Sequence, residues 1–240
     1  MSSYEFTREE FSRVFDGLRA RCSLYGPKRF PGRGRFTNTD LVKYAQLNGL
    51  EELELEEKSY MSPKSLAFPA DETLFYFTGQ EFAEAPQDGE GEIVVFLRPC
   101  DINGFRRLDA MFLENGGTRD PYYQRRRERL RFFMIECTES FDNCFCVSMK
   151  SNTADDYSAA LRFSGDSVLV EVKDDEFEGV FSAGRPSGFK PEFVRENRKR
   201  VDVPDVDEMP PEMFAHPMWD EYDQRCIACG RCNTSCVTCT

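Results

Sequence analysis

The last part of this 240-residue chain holds half of its ten cysteines. Cys226, Cys229, Cys232 and Cys236 follow the spacing C-x2-C-x2-C-x3-C, and Cys239 comes shortly after them. This compact spacing is typical of bacterial ferredoxin loops, because thiolates placed so closely can wrap the corners of one 4Fe–4S cubane. Structural zinc more often uses two cysteine pairs separated by a longer finger. The spacing therefore predicts a 4Fe–4S cluster on the first four of these cysteines.

The cysteine run departs from the usual ferredoxin pattern in two ways. Val237 stands where such a run usually has proline, and the fourth cysteine of a run normally ligates the other cluster of a pair. The chain has no second run of this kind, so Cys236 and Cys239 both stay open as the fourth ligand. Because the chain stops at Thr240, inside the motif, we expect it to be truncated at its C-terminus.

Composition narrows the classes of function. The 31 Lys and Arg against 43 Asp and Glu leave a net charge of -12, which disfavours nucleic acid as a partner. A single histidine removes most Ser-His and Cys-His chemistry. No apolar run reaches the roughly 18 residues of a membrane span, and the polar N-terminus is no secretory signal. We therefore expect a cytoplasmic protein whose clustered thiols serve metal or redox chemistry rather than disulfides.

The order of elements predicts an α+β protein, with a mixed α/β body and a partly parallel sheet, followed by a small ferredoxin-like 4Fe–4S segment. We place the body at residues 1–203. A linker and docking helix are expected at 204–224, and an incomplete 4Fe–4S ferredoxin-type domain at 225–240.

Periodicity and capping patterns predict the individual elements. The first helix is expected to begin at a capping box of Thr7 and Glu10 and to end before Tyr25. Further helices are predicted over 39–46, 101–113, from 121 through the following arginines, 191–200 and 211–222. Strands are predicted over 74–77, 93–97 and 131–135, with a hairpin of 159–163 and 168–172. The remaining segments are expected to be a solvated basic turn (28–35), an acidic face or edge strand (51–57) and a loop (85–91).

Four cysteines of the body follow the predicted strands. Cys100 comes just after strand 93–97, Cys137 just after strand 131–135, and Cys144 and Cys146 lie in the next loop. A helix between the strands makes them parallel, which places all four thiols at one carboxyl edge of the sheet. The alternative is four unrelated buried cysteines, since free cysteine is often buried. We favour a second 4Fe–4S cluster here, and we expect Cys22 to be a core residue.

Several motifs carry a resemblance that runs from about residue 4 to the end. They are 27–30 (Pro-Lys-Arg-Phe), 73–77 (Thr-Leu-Phe-Tyr-Phe), 97–103 (Leu-Arg-Pro-Cys-Asp-Ile-Asn), 136–137 (Glu-Cys), 143–149 (Asn-Cys-Phe-Cys-Val-Ser-Met), 218–222 (Met-Trp-Asp-Glu-Tyr) and 225–233 (Arg-Cys-Ile-Ala-Cys-Gly-Arg-Cys-Asn). With these motifs the chain resembles the iron–sulfur electron-transfer subunit of the anaerobic sulfite reductase. The beta subunit of cytoplasmic sulfhydrogenases shares the Arg-x-Cys-Asp and Cys-Phe-Cys elements and is the alternative.

The resemblance implies an iron–sulfur subunit that transfers electrons without carrying out catalysis itself. Its partners would be an NADH-oxidising flavin subunit together with a sirohaem subunit that reduces sulfite to sulfide. The family also has a second ferredoxin motif further along, which this chain lacks. The missing second motif leaves open which cluster Cys236 ligates and whether electrons pass through a second ferredoxin-type cluster.

Two rival functions follow from the same cysteines. A catalytic sirohaem subunit would carry a C-x5-C and C-x3-C pair, whereas six residues separate Cys137 from Cys144. A zinc-stabilised regulator is the other rival, and the acidic charge together with the absence of a nucleic-acid motif counts against it.

Overall fold

The computed structural model describes residues 1–34, 37–85 and 91–239. Its strands are β1 (Ser2–Thr7), β2 (Ser23–Phe30), β3 (Leu41–Gln46), β4 (Phe75–Thr78), β5 (Glu81–Glu84), β6 (Ile93–Leu97), β7 (Leu130–Ile135), β8 (Ala159–Ser164), β9 (Ser167–Val172) and β10 (Arg185–Pro186). Its α-helices are α1 (Arg8–Arg19), α2 (Pro99–Asp109), α3 (Pro121–Arg127), α4 (Glu178–Phe181), α5 (Met218–Arg225) and α6 (Arg231–Ser235). A π-helical turn, Ala110–Glu114, extends α2.

A mixed sheet organises the body. Its strand order is β10-β1-β9-β8-β7-β6-β2-β3, and β2, β6, β7 and β8 run parallel to one another. The remaining neighbours pair antiparallel. The sheet confirms the predicted α/β body with a partly parallel sheet, while the ferredoxin-like character of the C-terminal segment stays a prediction.

The β6–α2–α3–β7 crossover is the part of the fold that positions the body cysteines. β6 is a continuous apolar run and β7 is apolar except for Arg131, as expected for parallel strands covered by helices on both faces. On one face, Phe96 packs with Phe15 of α1. On the other face, Leu97 packs in the core that contains Phe105 of α2. Alternate residues of one strand therefore join two cores, and the predicted β-α-β unit is confirmed.

The first helix follows from its local sequence. Thr7 is its N-cap, and the side chain of Glu10 accepts the backbone N–H of Thr7 at 2.7 Å, which completes the capping box. Phe11, Phe15 and Leu18 form its buried face. The hairpin of β8 and β9 is also confirmed, and Gly165 in its turn has a φ of 56°.

Sheet pairing overturns the helix predicted over 39–46. This segment is β3, which pairs antiparallel with β2, and residues 28–30 of the predicted basic turn belong to β2. The β-branched and aromatic side chains of Val42 and Tyr44 suit a strand that a neighbour already holds. Arg35 and residues 86–90, which fall within the predicted turn 28–35 and the predicted loop 85–91, lie outside the described residues.

Three further predictions are corrected. Residues 191–200 are extended rather than helical, because the N–H of Val194 donates to the carbonyl of Cys137 at 2.7 Å. The predicted helix 211–222 is a 3-10 helix, Pro211–Ala215, followed by α5. The acidic segment 51–57 contributes Leu53 to the core instead of being wholly solvated. In the first and third of these segments tertiary contacts prevail over local pattern, whereas the second is interrupted at His216 and Pro217.

None of the helices in the described part of the chain combines the length and the apolar character that crossing a membrane requires.

Candidate iron–sulfur site

The strand ends bring the body cysteines into one neighbourhood. Cys100 lies in the first turn of α2 and Cys137 comes two residues after β7. Burial raises the pKa of the Cys100 thiol, and the nearby Asp101, Cys146 and Cys137 raise it further. Burial likewise raises the pKa of Cys137, which also interacts with Cys146 and Cys144. Cys100 therefore lies within electrostatic range of Cys137 and Cys146, and Cys137 within range of Cys144 and Cys146.

Asn197 holds the loop that carries Cys144 and Cys146. Its Oδ1 accepts the N–H of Val147 at 2.7 Å, and its Nδ2 donates to the sulfur of Cys146 at 3.5 Å and to the hydroxyl of Ser140 at 3.1 Å. Cys144 is buried and Cys146 is half-buried. The sequence does not indicate this role of Asn197, because its pattern predicts a helix over 191–200 and no local pattern indicates a contact with residues some fifty positions away.

Arg98 places a positive charge beside the body thiols. Its guanidinium lies 4.7 Å from the ring centroid of Phe141 and donates to the carbonyl of Leu55 at 2.7 Å. Burial raises the pKa of Cys137, and the charge of Arg98 offsets part of that rise. A cation next to cysteine stabilises the thiolate, which is the form that ligates metal. Arg98 lies in the 97–103 motif, so the sequence already singled it out. Its position beside the body thiols, however, is visible only in the folded chain.

The tail cysteines differ in exposure. Cys226, Cys229 and Cys232 are exposed, whereas Cys236 and Cys239 are half-buried. Gly230, in the left-handed region with a φ of 65°, turns the chain into α6.

Cys236 and Cys239 interact directly. Burial raises the pKa of Cys236, but hydrogen bonds from Thr238 and Cys239 lower it overall. The pKa of Cys239 is raised, first by its hydrogen bond with Cys236 and then by burial. The two thiols therefore titrate as a coupled pair.

The tail docks on the body through a few specific contacts. The ammonium of Lys64 donates to the carbonyl oxygens of Asn233 and Cys239, the second at 2.6 Å. The guanidinium of Arg231 lies 4.3 Å from the ring centroid of Tyr60. Trp219 and Tyr222 of α5 pack against each other and both are exposed, and the docking role expected of 204–224 stays a prediction.

The donor set fits iron–sulfur chemistry. All ten cysteines are free thiols, and the hydroxyls of Ser62 and Ser235 beside the tail are buried without a hydrogen-bond partner. In the described ranges, no group of three or more His, Cys, Asp or Glu side chains is arranged to hold a metal ion. Single zinc ions draw thiolates to about 2.3 Å, whereas a cubane spreads its thiolates over separate irons. The ligand assignments for all nine cysteines stay predictions.

An α/β body with thiols grouped at a sheet edge and in a C-x2-C-x2-C-x3-C tail defines a candidate iron–sulfur protein. The chain is similar to Sulfhydrogenase 2 subunit beta of Pyrococcus furiosus, with 28% identity in an alignment of 255 positions that covers 96% of this chain and 70% of that protein. No family model matches the chain. The similarity favours the sulfhydrogenase alternative, and the sulfite reductase resemblance is not confirmed.

Proposed function

We propose that this chain is an iron–sulfur electron-transfer subunit of an oxidoreductase complex of the sulfhydrogenase type. The observation that carries the proposal is the gathering of Cys100, Cys137, Cys144 and Cys146 at one edge of the sheet, with a second thiol group docked nearby. The similarity to a sulfhydrogenase beta subunit supports it. Bound clusters would supply one-electron chemistry.

The proposed division of the chain has two ligand sets. The body, 1–203, would hold one 4Fe–4S cluster on its four grouped cysteines. The C-terminal segment, 225–240, joined by 204–224, would hold another on Cys226, Cys229, Cys232 and a fourth thiol. Cys236, which completes the C-x2-C-x2-C-x3-C spacing, is the fourth ligand in this proposal, and Cys239 is the alternative.

The residues around the body thiols also contribute to the proposed function. Burial of the body thiols limits water at the site, and Arg98 offsets negative charge there. Asn197 keeps the Cys146 loop in place through its three hydrogen bonds. A protein sets the reduction potential of a cluster through nearby charge, hydrogen bonds to sulfur and solvent exposure.

An aromatic hairpin supports assembly with other subunits. Strands β4 and β5 form a separate two-stranded sheet that exposes Phe75, Tyr76, Phe77 and Phe82, and Phe77 is 78% exposed. Contiguous exposed aromatic surface is typical of protein–protein interfaces.

The experiment is anaerobic reconstitution of the full chain, followed by iron and sulfide analysis and EPR. Two cubanes predict about eight irons per chain. Cys137→Ser and Cys229→Ser should each remove about four, because each breaks one ligand set. Cys22→Ser is the matched control and should leave the iron content unchanged, since Cys22 packs against the core. Zinc in place of iron would overturn the proposal.

The electron-transfer role in an anaerobic sulfite reductase is the second candidate, and the motif resemblance favours it. Its partners would be a flavin subunit that oxidises NADH, together with a sirohaem subunit. Coexpression of the chain with sulfhydrogenase-type subunits or with sulfite reductase subunits, followed by size-exclusion chromatography, distinguishes the two candidate functions. A stable complex with hydrogenase-type subunits alone would eliminate the sulfite reductase role.

A further inference from the structure

Lys64 is a buried cation at the contact between the tail and the body. It is only 7% exposed, and it lies in the 3-10 helix Pro63–Leu66. Its ammonium donates to the carbonyl oxygens of Asn233 and Cys239, which are neutral acceptors. Within the described ranges it has no carboxylate partner. A buried charge is destabilising unless an opposite charge compensates it.

Two buried hydroxyls lie at the same contact. Ser62 Oγ and Ser235 Oγ have no hydrogen-bond partner. Their segments adjoin, because the backbone N–H of Ser62 donates to the carbonyl of Ser235 at 3.3 Å. A buried hydroxyl without a hydrogen-bond partner is destabilising. Two such groups beside a buried ammonium form a donor set that suits an acceptor carrying negative charge.

The cysteines next to these groups suggest what the acceptor is. Ser235 directly precedes Cys236, and Lys64 contacts the backbone of Cys239. Thiolate and sulfide sulfur in a metal cluster are anionic and accept hydrogen bonds. Zinc held by fewer thiolates would also draw on these donors, but the C-x2-C-x2-C-x3-C spacing favours the cubane.

We propose that Lys64, Ser62 and Ser235 form the counter-charge and hydrogen-bond donor set for an anionic iron–sulfur centre held by the tail cysteines, so that the body sets the reduction potential of the tail centre. This inference rests on the proposed function. Lys64 is a positioning residue: it holds the tail through two carbonyls and stabilises the more negative, reduced form of the centre. Removing its charge lowers the reduction potential of that centre.

The test is an EPR-monitored redox titration of the reconstituted full chain. The signal that disappears in Cys229→Ser identifies the tail centre. Lys64→Met should lower its midpoint potential by the equivalent of a tenfold change in equilibrium constant, about 59 mV for one electron. The body signal should stay unchanged. Lys64→Arg, which keeps the charge, should stay near the wild-type value.

Lys190→Met is the matched control, because Lys190 is exposed and its removal changes net charge equally. Ser62→Ala should produce a smaller fall in the same direction and tests the proposal independently if Lys64→Met loses tail iron. Iron-loaded Lys64→Met and Ser62→Ala with wild-type potentials would overturn this inference alone. A wild-type chain that binds no iron at the tail would overturn the proposed function, and this inference with it.

Discussion

The side chain of Val237 lies directly against Gly104 of α2, where a Cβ atom would stand 2.3 Å from both of its methyl carbons. Gly104 is one helical turn after Cys100, and Val237 directly follows Cys236. One helix therefore borders both cysteine groups, with the body group at its start and the tail packed on its next turn. The close approach requires glycine at position 104 because no side chain fits between helix and tail.

Gly104→Ala should displace the tail. The added methyl clashes with Val237, and overpacking of this kind costs about 1–3 kcal/mol. Limited proteolysis should cut the segment 204–240 several-fold faster than in the wild type. Gly17→Ala is the control, because a methyl group on Gly17 of α1 would meet no atom within 4 Å, and it should stabilise the chain by about 0.5–1 kcal/mol. Unchanged cleavage of the Gly104 variant would contradict this packing.

Arg162→Met should destabilise the body by about 2–3 kcal/mol. Arg162 pairs through two nitrogens with Glu136, whose side chain is only 6% exposed, and removal of Arg162 leaves that carboxylate buried without its cation. Urea unfolding measures the loss. Arg185→Met should cost less than about 0.5 kcal/mol, because Arg185 and Glu5 form an exposed pair at 3.9 Å. Equal losses in the two variants would refute the argument from burial.

Asn197→Ala should release the loop that carries Cys144 and Cys146. It leaves the N–H of Val147 unpaired, which costs about 1–3 kcal/mol. After reconstitution, body iron should fall while the tail EPR signal remains. Asn115→Ala is the control, because Asn115 is exposed and, among the described residues, its side chain hydrogen-bonds only to the sulfur of Met111. Full body iron in Asn197→Ala would show that the loop holds its place without this amide.

Glu52→Gln should destabilise the chain at neutral pH but not in acid. The backbone N–H of Asn48 and the ammonium of Lys28, each 2.7 Å away, hold the pKa of Glu52 below its ordinary value. A lowered folded-state pKa contributes stability above the ordinary value of about 4.3, and this is lost as pH falls through the folded-state pKa. We expect a difference of about 1 kcal/mol at pH 7 that shrinks on acidification.

Urea unfolding at a series of pH values measures this difference for Glu52. Glu56→Gln is the control, because Glu56 is exposed and its side chain has no hydrogen bond or ion pair within the described ranges. A Glu52→Gln difference that stays constant with pH would disprove the role of the ionised carboxylate.

Local patterns predicted the parts of the fold whose stabilising contacts are close in sequence. The capping box of Thr7 and Glu10 and the buried runs of β6 and β7 are examples, since four residues or one strand contain the whole signal. The helix prediction for 39–46 was wrong because the partner strand, and not the periodicity of the segment itself, decides its conformation. The helix prediction around Phe193 was wrong for the same reason, since this extended segment pairs with Cys137.

For the candidate site, the sequence by itself determined the thiols and their spacing, which are covalent properties of the chain. Through the β-α-β rule it also predicted that four of them meet at one sheet edge. Only the tertiary structure decided what surrounds the thiols. Arg98 lies over the ring of Phe141, Asn197 hydrogen-bonds to Cys146, and Lys64 hydrogen-bonds to the tail. Lys64 and Cys239 are 175 positions apart. Hydrogen bonds and charges act over a few ångströms in space, so their partners depend on how distant segments fold together.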